Sequence, residues 1–155
     1  MVPIAEAKNL INKHILDFCA EECNRQRVGL KQLAWMLQAW TYAVGQSAKR
    51  PRPDLGDIMA LGMKVEKDVN KDAWRRHTVI VYGAPDFPHP DEIKHRMFTW
   101  RELLLDMTPE EAYRTFEEIH PFLDGNGRVG KIIYNWLNGS LEKPVFPPNF
   151  WGEVP

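Results

Sequence analysis

Apolar residues recur at helical spacing along almost the whole of this chain, and the runs stop at prolines, glycines or polar clusters. From Ile4 to Cys23 the residues Leu10, Ile11, His14, Ile15 and Phe18 share a face, and from Leu30 to Val44 so do Leu33, Leu37, Trp40 and Val44. That spacing follows the helical turn, so both segments are predicted helices. Ser47 to Pro53, with two prolines and the basic Lys49, Arg50 and Arg52, reads as a solvated loop before a helix at about Leu55–Val69. Pro90–Leu105 sets Ile93, Met97, Trp100 and Leu104 on one side. Thr108-Pro109-Glu110-Glu111 then starts another helix: threonine caps free amides, proline is tolerated at the first helical position, and Glu111 can complete a capping box. Ala112, Phe116 and Ile119 line its inner face, and Pro121 stops it. A last helix at about Arg128–Asn138 buries Ile132, Ile133, Trp136 and Leu137, with Asn138-Gly139 as its end. The pattern predicts a mainly α fold, a helical bundle.

One stretch departs from it. Thr78-Val79-Ile80-Val81-Tyr82 places five β-formers in a row, followed by Gly83-Ala84-Pro85-Asp86-Phe87-Pro88-His89-Pro90. A strand, a turn and a proline-fringed second arm predict a short β-hairpin at the surface, because prolines bar that arm from the middle of a sheet. Such a hairpin needs the helices to support it, and it presents a free edge. Its residues alone leave open whether it is a surface excursion or a working part.

With 155 residues and 44% hydrophobic content, the chain can bury a proper core as one domain, residues 1–155. A net charge of -1 gives no basic field for nucleic acid or an anionic membrane, so neither is expected as a partner. Cys19 and Cys23 are too few for a disulfide framework and fall on a helical face. With His14 they make at most a partial metal set, whereas closed sites take four ligands. The six tryptophans, among them Trp35, Trp40, Trp100 and Trp136, read as core rather than as a cofactor box. Charged residues through Met1–Asn24 interrupt any leader-like apolar run, and no window reaches membrane-span length. A cytoplasmic setting is expected.

Between the last two helices lies His120-Pro121-Phe122-Leu123-Asp124-Gly125-Asn126-Gly127-Arg128, an order that neither helix nor strand periodicity explains. Amides at the start of a helix lack intrahelical acceptors and carry the positive end of its dipole, so they favour an anion such as a phosphate. Gly125 and Gly127 permit unusual φ and close backbone approach. Arg128 can add charge-assisted bonds, Asp124 offers Mg²⁺ a hard oxygen, and His120 titrates where a base for a hydroxyl is useful. Gly125, Gly127 and Gly130 also fit G-x-G-x-x-G, and Gly125 with Gly130-Lys131 fits most of a P-loop. Both motifs need a strand before the glycines, and Ile132 occupies the P-loop hydroxyl position.

The same run is in register with H-x-F-x-[DE]-G-N-G-R-x-x-R, the signature of the Fic domain family, which this chain therefore resembles. His120, Phe122, Asp124, Gly125, Asn126, Gly127 and Arg128 match, and Lys131 stands where the family has its second arginine. Arg76 to Pro90, with an arginine six residues before Tyr82, resembles the family's flap. The likeness covers about Leu55 to Leu141, with the N-terminal helices of residues 4–45 packed on that core. It implies a Fic-type helical bundle with one short β-hairpin flap, and a protein nucleotidyltransferase moving AMP, or another nucleoside monophosphate, from a Mg²⁺-bound NTP such as ATP to a Ser, Thr or Tyr hydroxyl. His120 would be the general base, Phe122 a buried anchor and Asp124 the metal ligand. Gly125, Asn126, Gly127, Arg128 and Lys131 would hold the nucleotide. Thr78, Val79, Ile80, Val81 and Tyr82 would pair with an extended target segment by strand addition.

Lys131 keeps the charge of the arginine it replaces but not its bidentate fork. Unchanged chemistry with weaker outer-phosphate contact, another donor, or binding without turnover would each be compatible with it. Doc-type phosphotransfer is the alternative activity, although the second loop glycine, Gly127, is intact; a catalytically weak binding module is the other. The family's restraining helix carries [ST]-x-x-x-E-[GN], and no glutamate here precedes Gly or Asn. Intrinsic restraint of that kind is therefore not expected, which leaves an antitoxin-like protein in trans, no restraint, or Lys131 itself.

Overall fold

The computed structural model of the chain describes residues 11–71, 73–81, 83, 84 and 86–149. Six α-helices cover most of them: α1 (Lys13–Arg25), α2 (Leu30–Ser47), α3 (Leu55–Val65), α4 (Pro90–Leu103), α5 (Pro109–Ile119) and α6 (Asn126–Leu137), with a single 3₁₀ turn at Leu104–Asp106 after α4. The fold is the mainly α bundle that the periodicity predicts. Ile4–Leu10, part of the first predicted helix, lies outside the described residues.

Helix starts follow local chemistry. The Asn12 side chain accepts from Ile15 N at 2.9 Å to open α1. Asp54 and Asp57 cap one another's amides at 2.8 and 3.0 Å to open α3. Thr108 accepts from Glu111 N at 3.1 Å, with Pro109 as the first residue of α5. The basic loop before α3 is not simply solvated, because Arg50 grips the buried Asp57 carboxylate through both Nε and Nη2 at 3.0 and 2.7 Å. α3 ends at Val65 rather than Val69: Glu66 leaves helical geometry at φ -144°, ψ 75°.

α2 packs against α1 and α3, α5 packs against α4 and α6, and α6 also contacts α2 and α3. Ile15, Met36, Trp40, Ile58, Leu61, Met97, Phe116, Ile132 and Ile133 are fully buried between them. Fully burying one such side chain is worth about 1.5–3 kcal/mol relative to exposure. The indole N–H groups of Trp40, Trp100 and Trp136 donate to the carbonyls of Leu141, Ala112 and Arg50, which makes these three rings structural. Trp35 differs, half-buried with Lys31 and Lys67 over its ring. Cys19 and Cys23 are free thiols in the core, and the described residues contain no group of three His, Cys, Asp or Glu placed to hold a metal. No described helix is long and apolar enough to cross a membrane.

The β-hairpin is the expectation that fails. No β-strand forms among the described residues, and Thr78-Val79-Ile80-Val81 runs without regular structure; Tyr82 lies outside the described residues. A bond from Ala84 N to the Val81 carbonyl at 3.2 Å and a left-handed Gly83 (φ 82°) make a turn there. The intended second arm cannot complete a ladder. Pro85, Pro88 and Pro90 carry no N–H to donate, and Phe87 turns inward to stack on His120 instead.

Candidate active site

α5 delivers the chain to His120, which leaves the helix in the left-handed region at φ 53°, ψ 62°. A side chain that is not glycine pays roughly 1–2 kcal/mol for that geometry, so its surroundings must hold it. They do. Arg75 Nε donates to the His120 carbonyl at 2.6 Å, and the Phe87 ring stacks on the imidazole with centroids 4.0 Å apart and planes 17° apart. The imidazole Nδ1 lies 3.3 Å from the Glu117 carbonyl. With the proton on Nδ1 and donated there, Nε2 keeps a lone pair. Burial pushes the His120 pKa down to about 4; the bond to the Glu117 carbonyl and the charge of Asp124 oppose the shift, and the Arg75 cation adds to it. The ring is therefore neutral at pH 7.

Phe122 is 1% exposed and packs on Trp74 and Phe116. The approach is closest from α3, where a Cβ on Gly62 would fall inside the space of the Phe122 ring. Asn126 sets the shape of the loop: its Oδ1 accepts from Phe122 N and its Nδ2 donates to the Phe122 carbonyl, both at 2.8 Å. The amide of this buried side chain is thus consumed inside the loop, and what Asn126 can offer an anion is its backbone N–H. Gly125 caps α6 at φ 81°, in the left-handed region that glycine enters without steric penalty. Asn126, Gly127 and Arg128 form the first turn of α6, whose N–H groups have no intrahelical acceptor.

Asp124 stands at the mouth of this turn with its side chain 60% exposed. Its Oδ1 accepts from Gly125 N at 2.7 Å, and Asn70 braces its backbone, donating to the Asp124 carbonyl at 2.7 Å and accepting from Asp124 N at 3.3 Å. The same Oδ1 lies 3.8 Å from Arg128 Nη2, and an exposed carboxylate of this kind suits Mg²⁺, which commonly binds through one or two carboxylates and substrate phosphates.

The two cations of the motif face inward. Arg128 is 2% exposed, bonded to the Glu66 carboxylate at 2.8 Å and to the Val65 carbonyl at 3.1 Å. Lys131 lies 3.1 Å from the fully buried Glu22 of α1. Gln26 donates to the same Glu22 oxygen at 3.0 Å, and its Nε2 would stand 3.1 Å from a Cβ on Gly127, so the end of α1 overlies the loop. A second buried carboxyl, Glu117, approaches the cluster from α5. Its pKa is pushed up to about 7 by burial, with Lys131 opposing and the charge of Glu22 adding. Although no glutamate in the chain precedes Gly or Asn, a glutamate, Glu22, does pair with the lysine at the second basic position of the motif.

Arg75, Phe87, Glu22, Glu66, Asn70 and Glu117 were not among the residues that the sequence singled out for the site. Arg76, six residues before Tyr82, is exposed, while its neighbour Arg75 is the buried one. Only Asn70, Arg75 and Glu66, polar residues at the edge of a predicted helix and in the stretch after it, carried a weak signal as polar groups needing partners.

A neutral imidazole on a strained turn, an anion-ready helix start and an exposed carboxylate are joined by contiguous sequence. Residues 54–137 match the Fic/DOC family, and the chain belongs to it. A protein of Aquifex aeolicus (strain VF5), named a probable protein adenylyltransferase, is 33% identical over 79 residues, covering 44% of this chain. The match spans about a quarter (25%) of that relative's length.

Proposed function

We propose that this protein is a nucleotidyltransferase that moves AMP, or another nucleoside monophosphate, from an NTP to a Ser, Thr or Tyr hydroxyl of a target protein. The observation that carries the reading is the neutral His120, held on its left-handed turn beside the open first turn of α6 and the exposed Asp124. The name of the Aquifex relative supports the same class of reaction.

In the proposed step Nε2 of His120 takes the hydroxyl proton while the hydroxyl oxygen bonds to the α-phosphorus. The bond from that phosphorus to the bridging oxygen breaks, and pyrophosphate leaves with the electron pair. The amides of Asn126, Gly127 and Arg128 stabilise the charge on the phosphate, and alignment with electrostatics does most of the work, as is usual in phosphoryl chemistry. Asp124 would hold Mg²⁺, which neutralises phosphate charge when bound. The target lies along residues 78–81, where Ile80 is 88% exposed, and takes its register from main-chain bonds made on binding.

A second reading, a binding module with little turnover, is favoured by the inward pairing of Arg128 and Lys131. Under the transferase reading the same pairing restrains activity: the Glu22–Lys131 pair must open before Lys131 can meet an outer phosphate. An antitoxin-like partner would then act on top of a restraint already present within the chain. One experiment separates the two. Wild type and Glu22→Gln are incubated with Mg²⁺ and each NTP, alone and with cell lysate, and added mass is read on intact proteins. A nucleoside monophosphate adduct, larger with Glu22→Gln, supports transfer, and its mass names the base. No adduct with any donor, in either form, refutes transfer. A bare phosphate adduct would point to Doc-type chemistry.

A further inference from the structure

Arg75 is 4% exposed, and its guanidinium is spread over backbone from two parts of the chain. Nε donates to the His120 carbonyl at 2.6 Å, Nη2 to the Pro88 carbonyl at 2.7 Å and, more weakly, to that of Ile119 at 3.4 Å, and Nη1 to the His77 carbonyl at 3.0 Å. Its own N–H donates to the Pro121 carbonyl at 2.8 Å. His77 and Pro88 bracket the segment that carries Ile80, while Ile119, His120 and Pro121 are the turn that carries the imidazole. One side chain therefore closes both ends of that segment and pins them to the turn. Phe87, the neighbour of Pro88, completes the joint by stacking on the His120 ring.

A planar fork with five N–H donors in fixed geometry can reach several carbonyls in different directions at once, which a single ammonium cannot. Burying the cation is costly, and burial depresses the Arg75 pKa. The charge nevertheless has a use at this place, because it opposes protonation of the imidazole whose carbonyl it holds.

We propose that Arg75 is the positioning residue of the site: its guanidinium holds the His120 turn and both ends of the 77–88 segment as one unit, so that the base and the segment that receives the target keep a fixed relation. The role rests on the reading of His120 as the base. It differs from bracing of the fold, because it predicts separable effects of charge and of fork geometry on one imidazole.

The test compares intact wild type, Arg75→Lys and Arg75→Gln. Thermal melts establish folding, an NMR titration follows the His120 imidazole and the ring-current shift from Phe87, and steady-state transfer is split into kcat and KM for nucleotide and for target. Arg75→Lys keeps the charge but loses the fork: His120 should stay neutral to below pH 5, the Phe87 shift should shrink, and kcat should fall roughly 10- to 100-fold with nucleotide KM unchanged. Arg75→Gln should do the same and also raise the His120 titration midpoint toward its ordinary value. Folded variants with wild-type titration, ring-current shift and kcat would overturn the proposal. So would loss of folding in both variants, which would make Arg75 a structural brace alone. The NMR arm does not need turnover. If the wild type transfers nothing while the variants still alter the His120 resonances, the transferase reading fails and the coupling stands; the converse sinks the coupling alone.

Discussion

Replacing Glu117 by glutamine should change the way stability depends on pH, by an amount the structure fixes. Glu117 is 4% exposed, its Oε1 makes no hydrogen bond among the described residues, and its pKa stands at about 7 against 4.5 for the free side chain. A carboxyl whose pKa is raised by folding binds its proton more tightly in the native state than in the unfolded chain. Its favourable contribution is therefore complete below the unfolded value and is lost as pH rises through the folded one. Glutamine has the same shape and does not titrate. The stability of Glu117→Gln minus that of wild type should grow between pH 5 and pH 8 by roughly 2–3 kcal/mol, following from the shift of about 2.5 units. Urea unfolding at half-unit pH intervals measures it, and groups common to both proteins cancel in the difference apart from the adjacent Lys131 and Glu22. A difference that stays constant across this range would refute the assignment of Glu117 as a buried acid titrating near neutrality.

His120→Ala should keep the fold and nucleotide binding but lower transfer by about 10²- to 10⁴-fold, the usual value of a general base, as read by labelled nucleotide incorporation. Because the His120 pKa lies near 4, the base should impose no acid limb on the wild-type rate between pH 5.5 and 8; a limb near 6.5 would contradict the buried neutral imidazole. Asp124→Ala should lose the Mg²⁺-dependent part of nucleotide affinity while the metal-free part survives, measured by calorimetry with and without the ion. Gly62→Ala drives a methyl into the Phe122 ring and should cost about 1–3 kcal/mol in denaturant unfolding, since a packed ring has no room to retreat.

Much of the fold was legible because it rests on local signals. The periodicity of α2, α5 and α6 and the Thr108-Pro109 start depend on neighbours within a turn or two, and sequence carries these directly. The loop from His120 to Arg128 was legible for the same reason, its functional groups being contiguous. What escaped depends on distant pairing. Nothing in the order of residues says that Glu66 reaches Arg128 or that Glu22 reaches Lys131, because these partners meet only after α1, α3 and α6 have packed. Residue type marks Arg128 and Lys131 as candidate phosphate ligands, but it does not show that each is paired with a buried carboxylate in the folded chain. The hairpin failed through a local signal that was too strong: five β-formers suggest a strand, yet a strand needs a second arm, and the prolines together with the inward turn of Phe87 remove it.

The two bonds between Asn126 and the Phe122 backbone have a thermodynamic consequence for any ligand of this loop. Because the loop is already closed on itself, with Asn70 bracing it from outside, a phosphate meets a surface whose ordering entropy was lost during folding. Association should then show little of the unfavourable entropy typical of coupled folding and binding. Lys131 and Gln26 both bond Glu22 where the end of α1 overlies the loop, so slow steps in binding should track that helix rather than the loop it covers.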